Sequence, residues 1–170
     1  MLTPFLAGQD TTAALLTTAF DNTRNTKMLL ADVSSTVTTF TDCPDLTFAL
    51  SANAGYIFDS QIIYDAPSAG DVVIRFTAPA GTTIRAAPWG IASGTSTTSG
   101  AIVQSVTDQV ATATMSFGGV ATGTMMMARI AGFISVITAS GNIVLGFAQL
   151  AASGTTTLKI GTSMALARVV

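Results

Sequence analysis

The sequence predicts an all-β protein: an antiparallel β-sandwich or jelly roll of about ten strands, with an N-terminal extension. Three observations predict it. Apolar residues recur at every second position. Tyr56, Phe58, Ile62 and Tyr64 share one side of a run with Ser60 between them, and Val72, Ile74 and Phe76 do the same while Arg75 and Thr77 turn away. A two-residue period places alternate side chains on one face of a strand. Good helix formers are scarce: there is no glutamate and almost no lysine, while threonine supplies about one residue in six, which suits strands and turns. Turn signals also break the chain at short intervals, among them Asp65-Ala-Pro-Ser-Ala-Gly70, Pro79-Ala80-Gly81 and Gly118-Gly119, as in a sandwich of short strands.

Residues 1–25 read as an arm or a first strand, and 26–170 as one sandwich domain. In the first segment Leu15, Leu16, Ala19 and Phe20 supply an apolar side; extended, about 25 residues reach at most ~80 Å, enough to cross a subunit boundary. Short strands follow at 27–30 and 37–40, flanking Asp32-Val-Ser-Ser35. A turn is expected at Asp42-Cys-Pro-Asp45, then an alternating strand over 46–50. The runs from Tyr56 to Tyr64 and from Asp71 to Thr77 read as paired antiparallel strands. Residues 82–87 continue as strand, and Trp89 reads as a core or lid residue beside a turn, with a ligand-stacking platform as the alternative. Residues 91–100 form a Gly/Ser/Thr-rich exposed loop, and 102–106 and 110–117 are strands. Met125, Met126 and Met127 belong in a core or a subunit seam.

The last third is the most apolar. Residues 125–138 and 142–150 are expected to pair as a hairpin about Thr138-Ala-Ser-Gly-Asn142; 158–160 and 164–170 close the chain. No charge lies between Arg129 and Lys159, a stretch hydrophobic enough to be tested as a membrane span. The central turn divides it into strand-length halves, so a buried hairpin is expected and no membrane. Both hairpin faces are apolar, with Ile130, Ile134 and Val136 on one and Phe133 and Ile137 on the other. Such a strand lies between two layers of its own domain or forms an oligomer seam. Only 9% of residues are charged, against about 25% in ordinary domains, so the seam is favoured. Its candidates are Ile130, Phe133, Ile134, Val136, Ile137, Ile143, Leu145 and Phe147.

Reactive groups are few. There is no histidine and a single cysteine, Cys43, which removes the Ser-His-Asp and Cys-His arrangements, an intrachain disulfide and a cysteine-based zinc cluster. Asp59, Asp65 and Asp71 read as strand-end and turn aspartates, with a calcium site as the alternative. Arg75, Arg85, Arg129 and Arg168 stand alone in strand-like runs and read as outward or ion-paired. A net charge of −2 offers no basic field for nucleic acid. No enzyme activity, cofactor or metal is expected.

The pattern Tyr56-x-Phe58, Ile62-x-Tyr64, Gly70-Asp71, Phe76-Thr77-x-Pro79-Ala80-Gly81 resembles a family of tailed-phage virion proteins common in phages of actinobacteria. Gly141-Asn142 with Phe147-Ala148-Gln149, and the closing run from Gly161 to Arg168, resemble it too. The resemblance covers about residues 46–170 and implies an often trimeric β-sandwich on the outside of the particle. Members are capsid decoration proteins or domains of minor tail proteins, and no active-site residue is carried over. The expected function is therefore a capsid decoration (cement) protein on the virion exterior, partnered by the major capsid protein and by itself as a homotrimer. Leu15, Leu16 and Phe20 are then the candidate capsid-contact arm. The alternative is a minor tail or fibre-tip module binding host-surface glycan through Trp89, Tyr56 and Tyr64, with the 94–100 loop shaping the site.

Overall fold

The computed structural model describes residues 24–95, 102–104, 107–110 and 112–169. These form thirteen strands: β1 (Asn25–Met28), β2 (Val33–Ser35), β3 (Thr41–Leu50), β4 (Ala54–Asp65), β5 (Val72–Thr77), β6 (Thr82–Ile91), β7 (Ile102–Gln104), β8 (Thr107–Val110), β9 (Thr112–Phe117), β10 (Met125–Val136), β11 (Gly141–Ala148), β12 (Thr156–Leu158) and β13 (Ser163–Arg168). The larger sheet runs β1-β13-β4-β10-β6-β7, with β8 also on β6 and with β12 joining β2 to β4; the smaller runs β3-β11-β5-β9. All pairings are antiparallel.

Numbering β1, β3, β4, β5, β9, β10, β11 and β13 as one to eight, the sheets read 1-8-3-6 and 2-7-4-5. That is an eight-stranded jelly roll of two Greek keys. Strands β6 to β8 are inserted between the fourth and fifth and widen the larger sheet beyond β10. From β3 onward each framework strand lies in the sheet opposite its predecessor, except that β9 pairs with β5 in the small sheet after the chain has passed through β6 to β8 of the large one.

This alternation corrects both expected hairpins. Strands β4 and β5 are in opposite sheets and meet only through their inner faces, where Phe58 and Phe76 pack edge to face at 5.3 Å. Strands β10 and β11 are likewise separated: β10 lies between β4 and β6, β11 between β3 and β5. Residues 137–140 form a corner, because both edges of β10 already carry hydrogen-bonded partners. A turn signal reports a change of direction and leaves open which strands pair.

The seam candidates are corrected on the same ground. Ile130, Ile134 and Val136 of β10 and Ile143, Leu145 and Phe147 of β11 are fully buried between the two sheets of one protomer. Each strand has apolar residues on its inward face because that face packs against the opposite sheet of its own domain, while the other face of β10 is partly exposed. Phe133 is half-buried on the outer face and Ile137 is exposed at the corner.

Two local expectations also change. Asp42-Cys-Pro-Asp45 is not a turn but part of β3, which bulges there: its register on β11 shifts between Val144 and Gly146. Pro44 has no N–H to donate and sits in the bulge, where the ladder is interrupted. Pro88 and Trp89 lie within β6. β8 covers Thr83 to Ala86 and β7 covers Trp89 to Ile91, so Pro88, which has no N–H to donate, falls between the two described pairings of that edge.

Candidate interaction surface

The two outer faces of the sandwich differ in chemistry. On the small sheet the outward residues are Thr47, Asn142, Val144, Thr77, Thr112, Thr114 and Ser116, with Asp42 and Arg75 among them. Arg75 donates to Asp42 Oδ1 at 2.7 Å and its guanidinium stacks on Phe40 at 4.2 Å. An antiparallel sheet with one wet face should look like this.

The outer face of the large sheet does not. Its rows, read across β13, β4 and β10, are Ala167-Ile57-Phe133, Ala165-Asp59-Ala131 and Ser163-Gln61-Arg129, followed by Ile63-Met127 and Asp65-Met125. At one end Met125, Met127 and Trp89 are 69%, 63% and 54% exposed. Lys159 N donates to Ile63 O at 2.8 Å, which places the exposed Ile160 in the loop on the β13 side of Ile63, with Met127 on the β10 side. Asp32 fixes the neighbouring loop: it accepts from Ile160 N at 2.8 Å and pairs with Lys159, while Gly161 N donates to Leu29 O. Exposed Leu30 thereby joins the same end. These side chains form a mixed apolar surface of flexible methionines and branched residues, a composition typical of contact sites.

At the other end lies a shallow groove of about 290 Å³ lined by Arg24, Ile57, Asp59, Ala131, Ala165 and Ala167, with Phe58 visible beneath Gly132. Gly132 is required there: a Cβ would stand 2.0 Å from the Arg85 carbonyl oxygen. Between the two ends Arg129 grips Asp59 with two hydrogen bonds, at 2.9 and 2.8 Å, and Arg24 adds a third contact at 3.4 Å. The Arg129 hydrogen bonds hold the Asp59 carboxyl below the usual carboxylate range.

The three aspartates read from the sequence do not converge. Asp59 serves the arginines, and Asp65 accepts Gly123 N with both oxygens, at 2.9 and 2.8 Å. Asp71 is buried at a positive φ of 48° and accepts Gly94 N and Gly119 N, both at 2.7 Å. It ties three connections together, a structural role beyond the solvated turn expected of it. Among the described residues no three of Asp, Cys or His are grouped to hold a metal. Cys43 is fully buried, and burial, with Asp42 and Asp45 nearby, pushes its thiol up to about 12.

Of the aromatics proposed to stack on a ligand, Tyr56 and Tyr64 are buried. The Tyr56 hydroxyl accepts Ser51 N at 2.8 Å, and the Tyr64 hydroxyl donates to Gly118 O at 2.9 Å. Trp89 is exposed, neither core nor lid. Leu15, Leu16 and Phe20 lie outside the described residues, as does most of the 94–100 loop. Met127, expected in a core or a subunit seam, is exposed on the outer face of β10, the face that also carries Phe133, whereas Ile57, Ile63 and the pairing of Asp59 with Arg129 carried no expectation from the sequence. The outward parity of β4, with Ile57 and Ile63 opposite to Phe58 and Ile62, was the available signal.

No family model matches the chain, and no curated protein matches it. Three solved structures share weak likeness with it: infectious bursal disease virus Gx strain (TM-score 0.20, 10% identity), the VP2 subviral particle of that virus (0.20, 8%) and its Gt strain (0.17, 9%). All are structures of a viral particle. The chain is covered over 86–87% of its length but spans only 37–40% of theirs, and TM-scores this low carry no weight for its role.

Proposed function

We propose that this chain is a structural, non-catalytic virion protein that decorates the exterior of a viral head, contacting the major capsid protein and assembling as a homotrimer. The observation that carries the proposal is the polarity contrast between the faces. The Thr-rich small sheet suits water, and the Met125, Met127, Ile63, Ile160 and Leu30 end of the large sheet suits a partner. The sequence resemblance supports the same role.

Magnitudes favour several weak contacts over one strong one. Burying the exposed halves of five such side chains yields roughly 5 kcal/mol, taking half of the ~1.5–3 kcal/mol for complete burial of each. Association itself costs about 4–15 kcal/mol. A single copy would bind poorly, whereas three linked copies gain avidity without a tighter contact.

The test is to mix purified protein with undecorated heads and image them, alongside Met127→Asp. Full decoration by the wild type and loss of it in the variant is expected. Undecorated particles with the wild type would overturn the proposal. One observation favours a second reading, a glycan-binding tail module: Trp89 is exposed beside Arg129, its register partner. Burial of Tyr56 and Tyr64 weighs against it, and glycan-array binding abolished by Trp89→Ala, with no head binding, would establish it.

A further inference from the structure

Trp89 and the groove of the large sheet are the two features of that face for which the head contact has no use. Trp89 is the only tryptophan in the chain and stands exposed on the outer side of β6, within a strand and not on a loop. An indole buries much area and carries one N–H that needs an acceptor, which is why tryptophan recurs as the anchor of protein contacts. The groove has the opposite shape. Ile57, Ala131 and Ala167 line it, Gly132 opens it onto Phe58, and Arg24 and Asp59 form its rim. Its volume of about 290 Å³ lies just below the ~300–1,000 Å³ of small-molecule sites and suits one large side chain.

The chemistry is complementary as well. A carboxylate offers about four acceptor positions. Among the described residues three of those on Asp59 are taken, two by Arg129 and one by Arg24. The fourth is left for a donor arriving from outside. Arg24 is exposed, and its guanidinium can stack on an aromatic ring brought to the rim. Trp89 of the same copy cannot supply that ring. From β6 across β10 and β4 to β13, which carries Ala167, is three strand spacings, ~14 Å, and both side chains leave the same face. The indole that fits belongs to a second copy of this chain.

Area decides how the copies are arranged. Trp89 and the groove span four strands, ~19 Å, over the rows from Arg129 to Phe133, ~14 Å, so one contact buries about 500 Å² counting both copies. That is well under the ~1,200 Å² of a stable pair. Knob and socket are separate patches, so successive copies join head to tail, and a closed ring holds each copy twice.

We infer that Trp89 of each copy seats in the groove of the next between Ile57, Ala131 and Ala167, its N–H donating to Asp59, and that this contact closes the homotrimer. The inference rests on the self-association proposed above and adds the surface that makes it; the head contact stays with the Met125 and Met127 end.

Fluorescence of the full chain tests it, because Trp89 is the only tryptophan. Where sedimentation shows the oligomer, emission should be blue-shifted and shielded from acrylamide; on dilution it should turn red and quenchable along the same curve as dissociation. Trp89→Ala, at an exposed position outside the core, should weaken self-association about 30-fold, the loss of one hot spot of ~2 kcal/mol. Trp89→Cys mixed with Ala167→Cys should form a disulfide between the two variants, and neither alone should do so, Cys43 being buried. An oligomer with wet Trp89 emission, or one unmoved by Trp89→Ala, overturns the inference and leaves the homotrimer standing. A monomer at every concentration, whether its Trp89 emission is shielded or wet, overturns it together with the homotrimer. Neither measurement uses heads, so a failure of decoration is read separately.

Discussion

Replacing Ile130 by alanine separates a core position from a seam position. Ile130 is 0% exposed, at the centre of β10, and faces the small sheet. The substitution removes three carbons, worth about 2.4 kcal/mol at ~0.8 kcal/mol each. Partial collapse around the void adds roughly 1 kcal/mol, within the range for buried Ile→Ala changes. A loss of about 3 kcal/mol corresponds to a melting temperature lower by roughly 6–12 °C in a domain of this size. Urea unfolding at two protein concentrations a factor of ten apart is the assay. The midpoint should fall by the same amount at both, with an unchanged slope, because the contact lies within one protomer. Ile137→Ala, exposed at the corner, should stay within about 0.5 kcal/mol of wild type. A midpoint shift from wild type to Ile130→Ala that differs between the two concentrations, or dissociation of an oligomer with unfolding unchanged, would refute the placement of the Ile130 side chain between the two sheets.

Other outcomes follow from the buried polar groups and the thiol. Tyr64→Phe leaves the Gly118 carbonyl without its hydroxyl donor and should lower stability by about 1–3 kcal/mol in the same unfolding assay. Asp71→Ala strips the acceptor from Gly94 N and Gly119 N and should lower stability by about 3 kcal/mol, more than Tyr64→Phe, since two donors lose a charged partner. Cys43 should resist iodoacetamide at pH 8 in the native protein and react fully in denaturant, since only the thiolate attacks; rapid native labelling counted by mass spectrometry would contradict its burial. Asp59 and Asp32 are held below the ordinary carboxylate range by hydrogen bonds, from Arg129 and Lys159 respectively. Their folded-state pKa values lie below the unfolded value of about 3.9, so their stabilisation is complete above it and is lost as pH falls through the folded values. The urea midpoint should hold from pH 7 to about 5 and drop below about 4, and Asp59→Asn should make that drop shallower.

Sequence alone determined the fold class and most of the inward faces. Two-residue periodicity is a local property, so Tyr56, Phe58, Ser60, Ile62 and Tyr64 were placed on one side of β4, and all are buried. The turns near Pro67, Gly81 and Gly118 were legible because proline and glycine act through their own backbone. Pairing was not legible. Neighbouring strands pair more often than not, yet this jelly roll sends β4 and β5, and β10 and β11, to opposite sheets, and nothing within β10 or β11 records which edges will be filled. The outer apolar face was hidden for a related reason. Ile57, Ile63, Met127, Ile160 and Leu30 are far apart in sequence and become one surface only when β4, β10 and the loop before β13 are brought together. Tertiary structure alone decided which of two apolar faces the core would consume, because burial of a face depends on what packs against it and not on the residues that compose it.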